Sequence, residues 1–273
     1  AEGASAANRF GSSAESAHNR SQLAVDVLLG SLDEMLELSG ARPEWLDPEV
    51  ASQRLRSSAR QNLMVRYVAL LDTQGRVFAS SDAAGASLSV SLPAGFAASV
   101  FEQPVSMLMV SAPAVSFVSA ERVLYLGRQM RLVDGTQLLA VAEVPITALA
   151  GVLTQGMDIP GLQVTLERTA GQVLLTMPRQ EDALARTLSP PLADLDGLGP
   201  AWQAHARLSG EPALVVYRPL MYQDLRIAAS VPLDAALAAW RSTRDGIMLT
   251  TLGFVVMMVL VGAVSMRYLD RMT

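Results

Sequence analysis

The chain has 273 residues, a net charge of −5, 51% hydrophobic residues and no cysteine. All 21 basic residues are arginine and none forms a basic arm or stripe, so nucleic acid is not an expected partner. Without cysteine, disulfide scaffolds and thiolate metal sites are excluded, while the length allows one large domain or two of ordinary size.

Residues 1–17 are small and polar. From Ser16 to Ser39 the spacing predicts a long helix. Leu28, Leu32, Met35 and Ser39 fall on one face, widened by Leu23, Val27 and Leu36, with Asp26, Asp33, Glu34 and Glu37 opposite. Gly40 suits the residue after its end. A second, mostly polar helix is expected from Asp47 as N-cap, with Pro48 at the first position, to about Asn62.

The period then changes. Met64–Leu71 is apolar and β-leaning, Asp72-Thr73-Gln74-Gly75 is a turn, and Arg76–Ser80 returns as a strand. Residues 81–104 are loop and short helix. Met107–Val110 and Val115–Val118 are weaker strands, and Arg122–Val133 and Gln137–Val144 flank the hairpin signal Asp134-Gly135. Pro145 opens a helix over 146–153. The same order follows again. Leu162–Glu167 and Gln172–Met177 flank a turn at Gly171, a Pro-rich loop runs to Pro200, and 201–208, 213–220 and 225–231 read as strands. Pro232 opens an exit helix over 233–244.

Two landmarks repeat in order. Gly75 and Gly171 lie 96 positions apart, and the strand-ending Val144-Pro145 and Val231-Pro232 lie 87 apart. This predicts two copies of one α+β module.

Gly246–Met266 carries no charge and has the roughly 20 apolar residues a membrane-spanning helix needs. Arg241, Arg244 and Asp245 bound it on one side and Arg267, Asp270 and Arg271 on the other, so arginine counting does not orient it. The chain ends soon afterwards. The expectation is a piece of a longer receptor, with a cytoplasmic output domain after it and another membrane helix before residue 1.

The stretches YVALLDTQGRVFASSD (Tyr67 to Asp82) and LRIAASVPLDAALAAW (Leu225 to Trp240), with the apolar run from Gly246, resemble the double Cache family of bacterial sensors over nearly the whole chain. The resemblance implies an α+β fold: a long N-terminal helix, two tandem PAS-like antiparallel-sheet modules and a C-terminal transmembrane helix. The expected divisions are 1–62 for the helical segment, 63–155 for the membrane-distal module, 156–240 for the membrane-proximal module and 241–273 for the membrane end. It implies a small-ligand sensor in the bacterial inner membrane with residues 1–240 periplasmic, feeding a histidine kinase, diguanylate cyclase, phosphodiesterase or chemoreceptor. A homodimer along the first helix is expected. The alternative is a ligand-free interaction and dimerisation module. The family's amino-acid-binding branch carries an Arg-x-Trp-Tyr run; Tyr125-Leu126-Gly127-Arg128-Gln129-Met130 has the arginine alone, which argues against amino acids.

The chain itself is not expected to be an enzyme. It has no G-x-S-x-G, P-loop or G-x-G-x-x-G, and its two histidines, His18 and His205, lack neighbours at metal spacing. No cofactor or metal is expected. Candidate ligand-binding residues in the first module are Tyr67, Ser80, Phe96, Met107, Tyr125 and Arg128, the last either gripping a carboxylate or phosphate or facing water. In the second module the polar and aromatic cluster is Trp202, His205, Tyr217, Arg218, Tyr222 and Asp224, with Tyr222 and Asp224 read as turn or rim residues.

Overall fold

The computed structural model describes residues 47–82, 92–116, 119–131, 135–154, 161–192, 202–220, 224–234, 246–259 and 262. The expected helix over 16–39, most of the exit helix and Tyr222 lie outside them.

Helix α1 (Pro48–Gln61) starts where its chemistry says it should. Asp47 caps it, its carboxylate accepting from the Glu49 amide at 2.9 Å, and Pro48 takes the first turn, where a missing N–H costs nothing. Ala51 and Leu55 are its buried residues, packed on the strands that follow.

Two antiparallel sheets come next. The first contains β1 (Tyr67–Leu71), β2 (Val77–Ser80), β3 (Met109–Val110), β4 (Ala114–Val115), β5 (Arg122–Arg131) and β6 (Gln137–Pro145), in the order β2-β1-β6-β5-β3, with β4 also on β5. Helix α2 (Phe96–Phe101) lies between β2 and β3 in sequence. Helix α3 (Ile146–Thr154) leads to the second sheet: β7 (Gln163–Arg168), β8 (Val173–Met177), β9 (Trp202–His205), β10 (Pro212–Pro219) and β11 (Leu225–Pro232), ordered β8-β7-β11-β10-β9. The two orders are the same, strand for strand.

The repeat extends to fine detail. In each first hairpin the glycine amide donates back to the residue three before it: Gly75 to Asp72, Gly171 to Arg168. Both glycines sit at positive φ, +77° and +88°. Both hairpins carry an irregularity at matching places, Leu70/Leu71 and Leu166/Glu167. Strands β6 and β11 both end on the expected Val-Pro and pass into helix.

Two apolar clusters separate the faces of the first sheet. Val68, Leu70, Leu124, Leu126, Ala140 and Ala142 point to one side, where a continuous cluster joins α1, Ile146 and Leu149 of α3, and Val164, Leu166, Ile227 and Ala229 of the second sheet. Tyr67, Ala69, Leu71, Val123, Tyr125, Leu139 and Val141 point to the other side, covered by Phe96 and Val100 of α2. Gly127 makes that cover fit: a Cβ there would lie 3.0 Å from the Phe96 ring and 3.2 Å from Leu139.

Residues 246–259 form a further helix, α4, exposed on every side. Among the described residues no helix is long and apolar enough by itself to cross a membrane.

The two hairpin glycines differ in one respect. A Cβ at Gly75 meets nothing within 4 Å, whereas at Gly171 it would sit 2.5 Å from the Leu188 carbonyl oxygen. Gly75→Ala should therefore cost about 1–2 kcal/mol of stability from the left-handed backbone alone. Gly171→Ala should cost more, because a backbone atom must move. Chemical unfolding of the two variants checks this; equal losses would contradict it.

Candidate functional site

Register brings three polar side chains into one row on the α2-covered face. Tyr67 of β1 and Tyr125 of β5 both pair across from Glu143 of β6. Successive side chains alternate across a sheet, so all three share a face. The Tyr125 hydroxyl donates to Glu143 Oε2 at 3.1 Å. Glu143 is only 2% exposed and Tyr67 6%. Yet Glu143 Oε1 is buried with no hydrogen-bond partner, and the buried Tyr67 hydroxyl has no well-formed one, Ser80 being the side chain beside it. Burial raises the pKa of Tyr125 well above the usual tyrosine range, and the adjacent Glu143 carboxylate adds to it. Tyr67 is also raised, first by burial; Ser80 pulls the other way, and the negative Asp82 and Glu143 add to the rise.

The structure gathers four of the six first-module candidates. Tyr67, Tyr125 and Phe96 belong to one cluster. Ser80 pairs across from Ala69, on the same face. Met107 stands apart, 40% exposed. Arg128 shares the alternation of Leu124, Leu126 and Met130, which puts it on the opposite face from Tyr125. Its Nε donates to Ser106 Oγ at 2.9 Å. Glu143 was not a candidate in the sequence reading. The available signal was an acid inside an otherwise apolar strand.

The second sheet is built differently at the matching positions. By register the row Tyr67–Glu143–Tyr125 becomes Gln163–Ser230–Val215, with no acid and no phenol. The buried acid stands two steps along, at Glu167, where the first module has Leu71. Arg207 seals it: Nε donates to Oε1 at 3.1 Å and Nη2 to Oε2 at 2.6 Å, while Nη1 donates to the Pro190 carbonyl at 2.7 Å. The Thr165 hydroxyl donates to Oε1 at 2.6 Å. The Arg207 and Glu167 side chains are 6% and 0% exposed. Sequence reading missed this pair because its partners lie forty residues apart. Of the second-module cluster, His205 ends β9 and pairs across from Pro212, and Tyr217 packs beside Ala213 and Val215. Asp224 is an exposed rim residue that accepts from Arg168 at 2.6 Å.

An open cleft of about 460 Å³ lies between the segment joining α1 to β1, the end of β6 and the start of α3, lined by Leu63 to Arg66, Pro145, Thr147 and Ala148. It holds no buried charge; Arg66 pairs with Glu121 at 3.0 Å. Among the described residues no cluster of three His, Asp or Glu side chains could hold a metal.

No protein-family profile matches the chain, and no curated protein sequence does. Solved structures do. The extracellular domain of a protein described as a histidine kinase, rpHK1S-Z16, superposes with a TM-score of 0.65 at 20% identity, covering 83% of this chain and 94% of that one. The ligand-binding domain of the Pseudomonas aeruginosa amino acid chemoreceptor PctB, solved with L-Gln, gives 0.58 at 17% identity, covering 90% and 98%. That of the Pseudomonas fluorescens chemoreceptor CtaA, solved with L-isoleucine, gives 0.60 at 14%, covering 87% and 95%. The chain thus shares the fold of these domains, with the two tandem antiparallel-sheet modules expected from the sequence.

Two outcomes follow from the buried groups. Arg207→Ala leaves Glu167 charged, buried and unpaired, and should cost about 3–5 kcal/mol. The double change Glu167→Leu with Arg207→Met copies the first module's apolar choice and should cost less than that single change. A double variant at least as unstable would show that the pair holds more than its own charges. Separately, at least two of the five tyrosines should resist deprotonation near pH 10 in the folded chain. Because their folded pKa values are raised, their contribution is complete below pH 10 and is lost as pH rises above it. Phenolate absorbance that rises in a single step at the ordinary tyrosine pKa would contradict the burial.

Proposed function

We propose that residues 1–240 are the periplasmic sensing region of a bacterial inner-membrane receptor and that Gly246–Met266 is its transmembrane helix. A small ligand binds on the α2-covered face of the membrane-distal module (63–155), at Tyr67, Ser80, Phe96 and Tyr125 together with Glu143. The membrane-proximal module (156–240) transmits the change to a cytoplasmic output domain of histidine kinase, cyclase or chemoreceptor type. The chain is not itself catalytic, and it works as a homodimer along the helix that the sequence predicts over 16–39.

The observation that carries this reading is the contrast between two matching faces. In the second module the buried acid has its full set of donors from the chain itself. In the first, one oxygen of the buried carboxylate has none. Buried polar groups are almost always paired, and exceptions ask for a partner outside the chain. PctB and CtaA were solved with amino acids bound, which supports a ligand of that size. The ligand-free alternative fits the second module at Glu167, although Gln163 Oε1 on the same face is also buried without a partner.

The membrane reading rests on α4. Ile247, Leu249, Leu252, Phe254, Val256 and Val259 are all exposed. A helix apolar on every side needs an apolar surrounding, and the uncharged run continues to Met266. The Thr250 and Thr251 hydroxyls donate back to helix carbonyls at 2.8 Å, so they need no water in lipid.

Two measurements test the proposal. The full chain should stay with membranes through an alkaline wash, and a version ending at Asp245 should be released; release of both would remove the anchor. Melting of the full chain against a panel of amino acids, amines, carboxylates, sugars and nucleosides should find a stabiliser. At a hundred times its dissociation constant, such a ligand adds about 2.7 kcal/mol. Gly127→Ala, which pushes Phe96 off the sheet, should abolish that shift. A shift untouched by Gly127→Ala would put the ligand elsewhere.

A further inference from the structure

The ligand's chemistry can be read from the unpaired Glu143 oxygen and the Tyr67 hydroxyl across from it. We propose that the first-module site takes a protonated amine without a carboxylate, a compact ammonium with a short apolar body, held by Glu143 and Tyr67. This rests on the reading that the site binds a ligand at all.

Glu143 Oε1 can only accept hydrogen bonds, so its missing partner is a donor. Its other oxygen is already served by the Tyr125 hydroxyl. The Tyr67 hydroxyl lies on the adjacent strand, directly across in the register, buried beside the Ser80 side chain and with an oxygen that can accept. One ammonium has three donors and no acceptor, so it can reach the carboxylate and the phenol oxygen together. A charge-assisted hydrogen bond between an ammonium and a carboxylate is shorter and roughly twice as strong as one between neutral partners.

The sign of the charge argues the same way. Two carboxylates, Asp82 and Glu143, act on Tyr67. No described residue of the covering helix or of this face near the row is cationic. Arg128 points to the other face. Arg131 has the right alternation, but it is exposed and lies six residues beyond Tyr125, roughly 20 Å along an extended strand. An anion placed at the row would meet repulsion and find no donor beyond the hydroxyls. A zwitterion would satisfy Glu143 but strand its own carboxylate among Leu71, Val123, Leu139 and Val141, where an unpaired charge is costly. A metal ion is a poor alternative, since the described residues offer no cluster of three acids or histidines. Aromatic neighbours Tyr67, Tyr125 and Phe96 favour a cation further. The raised tyrosine pKa values keep both hydroxyls neutral at ordinary pH, so neither competes for the charge.

The test uses the full chain in detergent, with melting and calorimetric titration. The probes are 3-methylbutylamine, phenethylamine and putrescine. Each monoamine is matched by its carboxylic acid, its amino acid and its neutral alcohol, and glucose and adenosine complete the set. At least one amine should raise the melting temperature while its matched acid, amino acid and alcohol do not. Glu143→Gln keeps the shape and an acceptor for Tyr125 but loses the charge; it should weaken amine binding about tenfold or more. Tyr67→Phe should weaken it several-fold. Should Glu143→Gln fail to fold, the amine-against-alcohol comparison on the native chain still decides. Amine binding unchanged in Glu143→Gln, or an acid, amino acid or alcohol binding better than the amine, overturns the amine proposal. If such a non-amine ligand is lost in Gly127→Ala, the sensor reading survives that failure. No stabilisation by any probe overturns both.

Discussion

An antiparallel sheet of apolar strands has two faces to hide, and each of these modules hides only one of them against the other. The shared cluster takes Val68, Leu124 and Ala142 from the first sheet and Val164, Leu166 and Ile227 from the second, with α1 and α3 filling the edges. The remaining face of each sheet must be closed by local means. In the first module α2 closes it, with Phe96 lying flat because residue 127 has no side chain. In the second, the loop carrying Pro190 and the β9–β10 turn carrying Arg207 are drawn in by one carboxylate. The second face is where the copies diverge, because nothing in the shared core constrains it.

The divergence is electrostatic. Each covered face buries one glutamate, and a buried carboxylate must be given donors or pay heavily for its desolvation. Glu167 receives three donors from two side chains, two of them in a bidentate grip from a guanidinium. Glu143 receives one, from a tyrosine. The first arrangement is complete without a ligand and the second is not.

Much of this architecture was legible because it rests on local chemistry. The two glycine hairpins, the Asp47-Pro48 helix start and the paired Val-Pro strand ends each carry their own signal, and the repeat follows from their order. The site was legible only in part. Tyr67, Ser80, Phe96 and Tyr125 could be chosen by residue type on strands facing a cover. Arg128 drew notice for its charge, but its face depends on counting from Tyr125, and three steps put it on the opposite side. Glu143 and the Glu167–Arg207 pair required cross-strand register and a partner forty residues away, neither of which a periodicity contains.

Any signal from the first face must cross to the second module through specific links. Arg168, the last residue of β7, donates to the Val110 carbonyl beside β5 and also grips Asp224 at 2.6 Å. Arg122, at the start of β5, approaches Glu181 at 3.4 Å. Both links end on or beside β5, the strand that carries Tyr125. A ligand that changes how Tyr125 and Glu143 share a proton donor would act on β5 first, and β5 is where the second module is attached. In the second module Arg207 ties Glu167 of β7 to the Pro190 carbonyl, and β7 pairs with β11, whose end at Pro232 leads in sequence toward the apolar run.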